Sequence, residues 1–144
     1  MKKEKGFTLL ELIIVMFLIS LIAAVSTALF VNTLPTGKFN ATAREVAVTI
    51  KHARALAQIT GERQIVAIDL DAKKYGIEGR GDRDIPKDTE IKVIDPFLGE
   101  VVNGKYHLVF YAGGRAEGGT IVLRNKNKSA TIYMDPIVGS VLIK

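Results

Sequence analysis

Followed along the chain, the hydrophobic and polar positions fall into two patterns. Residues 12–31 are apolar apart from three hydroxyl-bearing side chains, and residues 7–31 together make 25 positions. At 1.5 Å of rise per residue, 25 helical residues span roughly 37 Å. A bilayer core about 30 Å thick requires about 20 apolar residues. The first pattern therefore predicts a tilted membrane-spanning helix over residues 7–31.

The charges at the start of this segment set its expected orientation. Lys2, Lys3 and Lys5 precede it, and an excess of lysine marks the cytoplasmic end of a spanning helix. We therefore expect residues after Val31 on the opposite side of the membrane. Glu11 is the exception within the segment, because an unpaired charge near the centre of such a helix costs roughly 2.5–3.5 kcal/mol, and less near its end. Glu11 is thus expected to have a partner and a function.

A second pattern, with spacings of three and four residues, follows residues 32–37. That stretch contains a proline and a glycine and predicts a kink or a short interruption. A second helix is predicted over about 39–60, with a capping box at Thr42–Glu45 and an end at Gly61. Its apolar stripe is rich in alanine, which lets a sheet approach closely. The stripe consists of Ala43, Val46, Ala47, Ile50, Ala53, Leu56 and Ala57.

From Arg63 onward the alternation of apolar and polar positions has a period of two, which is typical of β-strands. Residues 79–88 are polar and glycine-containing and predict a loop. A helix followed by an antiparallel sheet packed on it predicts an α+β domain over 32–144. The strands are predicted at 64–70, 75–78, 89–94, 105–111, 120–124, 130–134 and 140–143.

Composition narrows the possible functions only a little. The chain has 144 residues, a formal net charge of +5 and no cysteine. Residues 32–144 contain 17 Lys and Arg against 13 Asp and Glu, with the two signs interspersed. Such a mildly basic surface permits contact with nucleic acid or anionic lipid without requiring it. The absence of cysteine means that the domain has neither disulfides nor thiol chemistry.

The string Lys-Gly-Phe-Thr-Leu-Leu-Glu-Leu-Ile at residues 5–13 resembles the signal sequence of type IV prepilins and type II secretion pseudopilins. The resemblance implies that a prepilin peptidase cuts between Gly6 and Phe7 and removes a cytoplasmic leader of residues 1–6. The new N-terminal Phe7 is then methylated. Glu11 corresponds to the family's glutamate, which pairs with the N-terminal amine of a neighbouring subunit as the filament grows. Phe7 and Glu11 are four residues apart, so they are expected on one face of their helix.

This resemblance also implies partners and a location. The partners are other pilins or pseudopilins in a filament, the prepilin peptidase and methyltransferase, an inner-membrane assembly platform with its ATPase, and membrane lipid before assembly. The expected location is a single pass through the inner membrane, with the N-terminus cytoplasmic and the C-terminal domain periplasmic or extracellular. After assembly, the subunit would lie in a pilus or pseudopilus.

Two further stretches resemble the GspH/FimT group of minor pseudopilins. They are Arg54-Ala55 and the run 110–123, in which a phenylalanine-ended strand, a glycine-rich turn and a second strand follow one another. The implied fold is pilin-like, with a long N-terminal helix packed against an antiparallel sheet domain. The implied function is that of a minor pseudopilin or minor pilin, a structural subunit supporting protein export or pilus assembly.

Two alternatives remain at this stage. Some FimT-like pilins bind DNA in natural transformation through a C-terminal Gly-Arg-x-Arg pattern, but residues 139–142 here read Gly-Ser-Val-Leu. Weak phosphate contacts are conceivable, although nucleic acid is not the expected partner; the basic residues concerned are Arg124, Lys126, Lys128 and Lys144. The other alternative is a plain membrane-anchored periplasmic protein. A secretory signal cut after residues 24–26 is disfavoured, since the apolar run is too long.

No constellation of residues predicts catalysis, a metal or a cofactor. Residues 113–119 are glycine-rich but lack the Lys-Ser/Thr of a phosphate loop, so turns requiring positive φ are the preferred interpretation. A cluster of carboxylates lacks the spacing of a calcium-binding loop and predicts a solvated loop; its members are Asp82, Asp84, Asp88 and Glu90. His52 and His107 lack a nucleophile or ligand partner nearby in sequence. We therefore do not expect an enzyme.

Overall fold

The computed structural model describes residues 6–126, 128–135 and 140–144, with the backbone alone described for residues 27–36. One helix, α1, extends over Leu9–Thr60 and is followed by ten strands. The chain divides into two compact units with the boundary between Lys38 and Phe39. The strands are β1 Gln64–Asp69, β2 Lys74–Ile77, β3 Asp82–Asp84, β4 Glu90–Asp95, β5 Gly99–Val101, β6 Lys105–Phe110, β7 Ala116–Glu117, β8 Thr120–Asn125, β9 Lys128–Met134 and β10 Val141–Ile143.

Helical backbone continues across residues 32–37, so the interruption predicted there is wrong. Proline removes a single N–H donor from the helix, and a long helix tolerates that loss. The capping box predicted at Thr42–Glu45 is also wrong, because these residues lie inside α1 and Thr42 is buried. The predicted end is confirmed: Gly61 has φ 72° and its N–H donates to the Ala57 carbonyl at 3.1 Å.

The predicted apolar stripe is the face of α1 that lies in the core of the second unit. Six of its seven members are less than 5 % exposed, and Leu56 is partly buried against them. The same core includes inward-facing residues of both sheets, such as Ile68 and Leu108 in one and Ile121 and Leu123 in the other. Because four members of the stripe are alanines, the sheets can pack close to the helix axis.

The strands form two five-stranded antiparallel sheets, where the sequence predicted one. Their orders are β3-β2-β1-β6-β7 and β10-β9-β8-β4-β5. Three short strands were not predicted, namely β3, β5 and β7. β3 lies within the segment predicted as a loop, since two or three polar residues carry no alternation of apolar positions. The α+β, pilin-like fold class is nevertheless confirmed, with an apolar N-terminal helix and a second helical stretch packed against antiparallel sheets.

Two glycines allow the chain to leave the first sheet after β7 and enter the second at β8. Gly118 has φ 142°, and a Cβ there would lie 2.3 Å from Leu108 Cδ2. A Cβ on Gly119 would lie 2.4 Å from the Ile94 carbonyl oxygen. The prediction of positive φ in the glycine-rich run is confirmed at Gly114 and Gly118.

Candidate functional site: the N-terminal segment

Thr8 organises the first turn of α1. Its Oγ1 accepts a hydrogen bond from the Glu11 N–H at 3.3 Å, and its carbonyl accepts one from the Leu12 N–H at 3.2 Å. Thr-x-x-Glu ahead of an apolar run is the signature of a capping box, so residues 8–11 carry this signal as well as the predicted residues 42–45. Since α1 begins at Leu9, Phe7 precedes the helix, and the predicted helical i, i+4 relation of Phe7 and Glu11 is absent from this structure.

Gly6 and Phe7 have no packing role in the described part of the chain. A Cβ added to Gly6 would meet no atom within 4 Å. Phe7 is 77 % exposed. Neither the glycine at position 6 nor the aromatic ring at position 7 is therefore explained by the fold.

Glu11 lies in the first turn of α1, where the helix dipole favours a negative charge. Its side chain is exposed, and none of the ion pairs within the described residues includes it. The carboxylate is therefore accessible to a cation supplied from outside the chain.

The helix that follows is apolar on every side. Leu9–Ser26 makes 18 residues with a mean hydropathy of 2.7, none of which is buried, and this stretch is long and apolar enough to cross a membrane. Ser20 satisfies its hydroxyl by donating to the Met16 carbonyl at 2.7 Å. An exposed apolar surface of this extent requires lipid or other apolar helices around it.

The four basic residues considered for phosphate contacts line two different cavities. Lys128 and Lys144 line a cavity that also includes Arg44. Arg124 and Lys126 line another, together with two further lysines and the carboxylates of Asp88 and Glu90. Carboxylates therefore lie beside Arg124 and Lys126, whereas Lys128 and Lys144 share their cavity with Arg44.

The carboxylates considered for calcium, and the two histidines, are also dispersed. Asp82 and Asp84 lie on β3, and Asp84 is 3.9 Å from Lys74 Nζ. Asp88 accepts a hydrogen bond from Asn125 Nδ2 at 3.1 Å. Among the described residues no three metal-ligating side chains come together. His52 is exposed on α1, and His107 Nε2 on β6 lies 3.7 Å from Glu78 Oε1.

A hydrogen-bonded corner at the end of β4 was not predicted from the sequence. Asp95 Oδ1 accepts the N–H groups of Phe97 and Leu98 at 2.7 and 2.8 Å, and Oδ2 accepts the Tyr106 hydroxyl. The Tyr106 hydrogen bond and these backbone donors lower the pKa of Asp95. Burial and the Asp95 carboxylate raise the pKa of Tyr106. Asp95-Pro96 is a turn signal in the sequence, but its partner on β6 is visible only in the fold.

This corner lines a cleft of about 900 Å³, which we call the β6 cleft. Its walls are the turn at residues 95–98, the strand β6 and the segment around β7. The lining residues are Asp95, Pro96, Phe97, Leu98, Lys105, Tyr106, His107, Val109, Arg115, Ala116, Glu117 and Gly118. On the β7 side the cleft is ordered by an Arg115–Glu117 ion pair, and Glu117 also accepts the Tyr111 hydroxyl at 3.0 Å.

The N-terminal segment places the chain among proteins that carry a prepilin-type methylation motif, which includes the apolar helix Leu9–Ser26. The prokaryotic N-terminal methylation motif matches residues 1–27, so the predicted motif is confirmed. Over almost its whole length, the chain is 23 % identical over 140 residues to the type II secretion system protein H of Xanthomonas campestris pv. campestris, covering 97 % of this chain and 83 % of that protein. No solved structure matches the chain. The predicted resemblance to pseudopilins of the protein H type is thus confirmed over most of the chain.

Proposed function

We propose that this protein is a minor pseudopilin or minor pilin, a structural subunit of a type II secretion pseudopilus or type IV pilus. The observation that carries the proposal is the apolar helix Leu9–Ser26, which is exposed throughout and lies within a match to the N-terminal methylation motif. An apolar surface without an internal partner suits a helix that moves from lipid into a filament core. In this proposal the chain is structural, and the chemistry of maturation belongs to its processing enzyme.

Maturation in this proposal is a cut between Gly6 and Phe7, followed by methylation of the Phe7 amine. The support is that neither residue type has a reason within the fold, since Gly6 has open space around its Cα and Phe7 is exposed. A residue type that the fold does not require is explained by recognition from outside. Removal of residues 1–6 also takes away three lysines.

Glu11 is proposed to pair with the N-terminal amine of a neighbouring subunit. A carboxylate and an ammonium group in hydrocarbon are each costly alone, and pairing offsets much of that cost. The exposed carboxylate in the first turn of α1 leaves Glu11 available for such a partner. Neighbouring pilins, the assembly platform and its ATPase are the implied partners, with the cut N-terminus initially at the cytoplasmic face of the inner membrane.

The test is mass spectrometry of the N-terminus of protein isolated from its native membrane, with Gly6→Leu as the variant. Wild type is expected to begin at N-methylated Phe7, whereas Gly6→Leu is expected to retain residues 1–6. Because a Cβ at residue 6 would meet no described atom within 4 Å, we expect thermal unfolding of the domain to be the same in both. An intact N-terminus in the wild type would contradict the proposal.

Glu11→Ala separates maturation from assembly, with Glu45→Ala as its control on an exposed part of α1. Both variants are expected to be cut and methylated. Only Glu11→Ala is expected to be lost from the sheared filament fraction and to remain in the membrane. Equal incorporation of the two variants would contradict the pairing of Glu11 with the amine.

A further inference from the structure

β6 is paired along its whole length on one side and along only part of it on the other. On one side β1 pairs with all six residues, from Asp69 opposite Lys105 to Gln64 opposite Phe110. On the other side β7 pairs only with Val109 and Phe110. The first part of β6 is therefore an open edge of its sheet.

The alternation of backbone hydrogen bonds along β6 identifies which N–H and C=O groups point toward the open edge. The Tyr111 N–H donates to the Arg115 carbonyl on the β7 side, whereas the Leu70 N–H donates to the Gly104 carbonyl on the β1 side. Because backbone groups alternate sides along an antiparallel strand, Lys105 and His107 point the same way as Tyr111. Beyond the β1 ladder, no backbone hydrogen bond in the described part of the chain reaches Lys105 or His107.

The edge is left open because the chain departs for the second sheet. After Glu117 it passes through Gly118 and Gly119 into β8, so β7 ends opposite Val109 and does not reach the first residues of β6. The place where β7 would have continued is occupied by the β6 cleft. Its volume of about 900 Å³ lies within the range of about 300–1,000 Å³ that is typical of binding sites.

The side chains around the open edge are basic on one face of the sheet and apolar on the other. Lys105 and His107 share the outer face of the sheet, and both are exposed. Their contacts with carboxylates are loose, at 4.0 Å to Asp69 and 3.7 Å to Glu78, and such exposed pairs contribute at most about 1 kcal/mol. The opposite face is bounded by the turn at 95–98, where Phe97 is 94 % exposed and Leu98 is 75 % exposed.

The turn is held in place before any partner arrives. Asp95 binds the backbone of its own turn and the Tyr106 hydroxyl of β6, so it joins the apolar wall to the strand edge. A preformed site loses less conformational entropy when it binds than a loop that must be ordered.

From these features we propose that the β6 cleft is a docking site for an extended segment of a partner protein, which adds as a strand beside Lys105–His107. The segment alternates acidic and apolar residues. Its acidic residues lie opposite Lys105 and His107, and its apolar residues face Phe97 and Leu98. A lysine at a sheet edge discourages pairing with apolar or basic strands, so the same side chain selects an acidic one. This inference concerns the domain alone and does not rest on the proposed role of the N-terminal helix.

A second copy of this chain is a poorer match for the cleft. Its exposed edge strand β3 carries Asp82 and Asp84 at alternate positions, which suits the outer face. The residue between them is Arg83, which would be placed against the apolar wall of the cleft. A partner with an apolar residue at that position fits both faces.

The probe is a fluorescein-labelled, amidated octapeptide Gly-Glu-Val-Glu-Val-Glu-Val-Gly, titrated into the full chain in lipid nanodiscs. In an antiparallel pair with β6, the N–H groups of the glutamates point at Lys105 and His107, and those of the valines point away. N-methylation of the glutamate amides is therefore expected to weaken binding by about tenfold or more, since it removes backbone hydrogen bonds. N-methylation of the valine amides should change it by less than about threefold. Equal losses for the two methylated peptides, or no saturable binding of the parent peptide at millimolar concentration, would overturn the proposal.

Charge reversal tests the side-chain part of the proposal. The double variant Lys105→Glu with His107→Glu is expected to lose the glutamate peptide and to gain affinity for its lysine counterpart. The chain offers a matched control in Lys51→Glu with His52→Glu, an exposed lysine and histidine on α1, which should leave both affinities unchanged. Identical behaviour of the two double variants would contradict selection by the β6 edge.

Amide hydrogen exchange shows where on the protein the peptide binds. The peptide is expected to slow exchange at Lys105 and His107, with no change at Lys92 on β4. Slowing elsewhere without an effect at these two amides would place the peptide at a different site. Reversible self-association of the free chain that the peptide blocks, seen by sedimentation velocity, would make a second copy the occupant and overturn the proposed partner.

Discussion

The two ends of α1 are built from similar apolar residues but bury them in different ways. In Leu9–Ser26 every side chain is exposed and the apolar surface extends all around the helix. In the stretch from Phe39 to Thr60 the buried residues lie on one stripe, and the remaining faces are mostly polar. One helix thus carries two hydrophobic patterns, one suited to an apolar solvent and one to a protein core.

The largest expected difference between the two regions comes from placing a charge in each. Ile50→Asp puts an unpaired carboxylate at a position 1 % exposed, and we expect it to destabilise the domain by more than about 4 kcal/mol and prevent folding. Leu18→Asp should leave thermal unfolding of the domain unchanged while lowering membrane retention, since a charge in a spanning helix costs about 2.5–3.5 kcal/mol. Circular dichroism and membrane fractionation measure the two effects. A folded Ile50→Asp domain would contradict the assignment of its stripe to the core.

A smaller difference in stability between the two regions is expected when the same larger side chain is placed in each. Ala53 is fully buried in the stripe, and Ala53→Leu should reduce the free energy of unfolding by about 1–3 kcal/mol because the sheets lie close to this face. Ala24→Leu makes the same change at an exposed position of the apolar segment. There it should have no effect on unfolding by denaturant. Equal effects at the two positions would mean that close packing does not distinguish the regions.

The smallest expected effect is a pH dependence of folding stability, which we expect in the second unit and not in the apolar helix. Hydrogen bonds to Asp95 lower its pKa in the folded state. They therefore stabilise the fold fully at a pH above the pKa of Asp95 in the unfolded chain, which is about 3.9. This stabilisation is lost as the pH falls through the lower pKa of the folded state. Asp95→Asn should cost about 1–2 kcal/mol at pH 7 and less at pH 3. Asp84→Asn, at an exposed carboxylate, is the control. Thermal melts from pH 2.5 to 7 measure the difference, and parallel curves for Asp95→Asn and wild type would contradict it.

Periodic patterns that extend over many residues were predicted correctly, because each depends on many positions at once. The buried stripe of α1 and the longer strands such as β1 and β8 follow from periodicity alone. The end of α1 at Gly61 follows from a glycine in a left-handed conformation. These features need no knowledge of how distant parts of the chain meet.

Features that depend on distant contacts were missed. The division into two sheets is fixed where Gly118 and Gly119 approach Leu108 and Ile94, and no local pattern encodes those contacts. The interruption predicted near Pro35 is wrong, because helical backbone continues through it despite the low helix preference of proline. In the candidate site, the roles of Gly6, Phe7 and Glu11 stay predictions from their motif, whereas the Thr8 cap has a signal in the sequence that was not among the predictions. The β6 cleft arises from pairing that only the fold reveals.

The pairing of β1 with β6 has a consequence for the order of events during synthesis. The central pair of the first sheet joins residues as far apart as Gln64 and Phe110, so it cannot close until translation has passed Phe110. That residue lies 84 positions beyond Ser26, the last residue of the apolar span. At about 5–20 residues per second, the ribosome needs roughly 4–17 seconds to cover that distance. The apolar helix is therefore complete well before its own domain can fold, and it must be captured by lipid or an insertion factor while the rest of the chain is nascent.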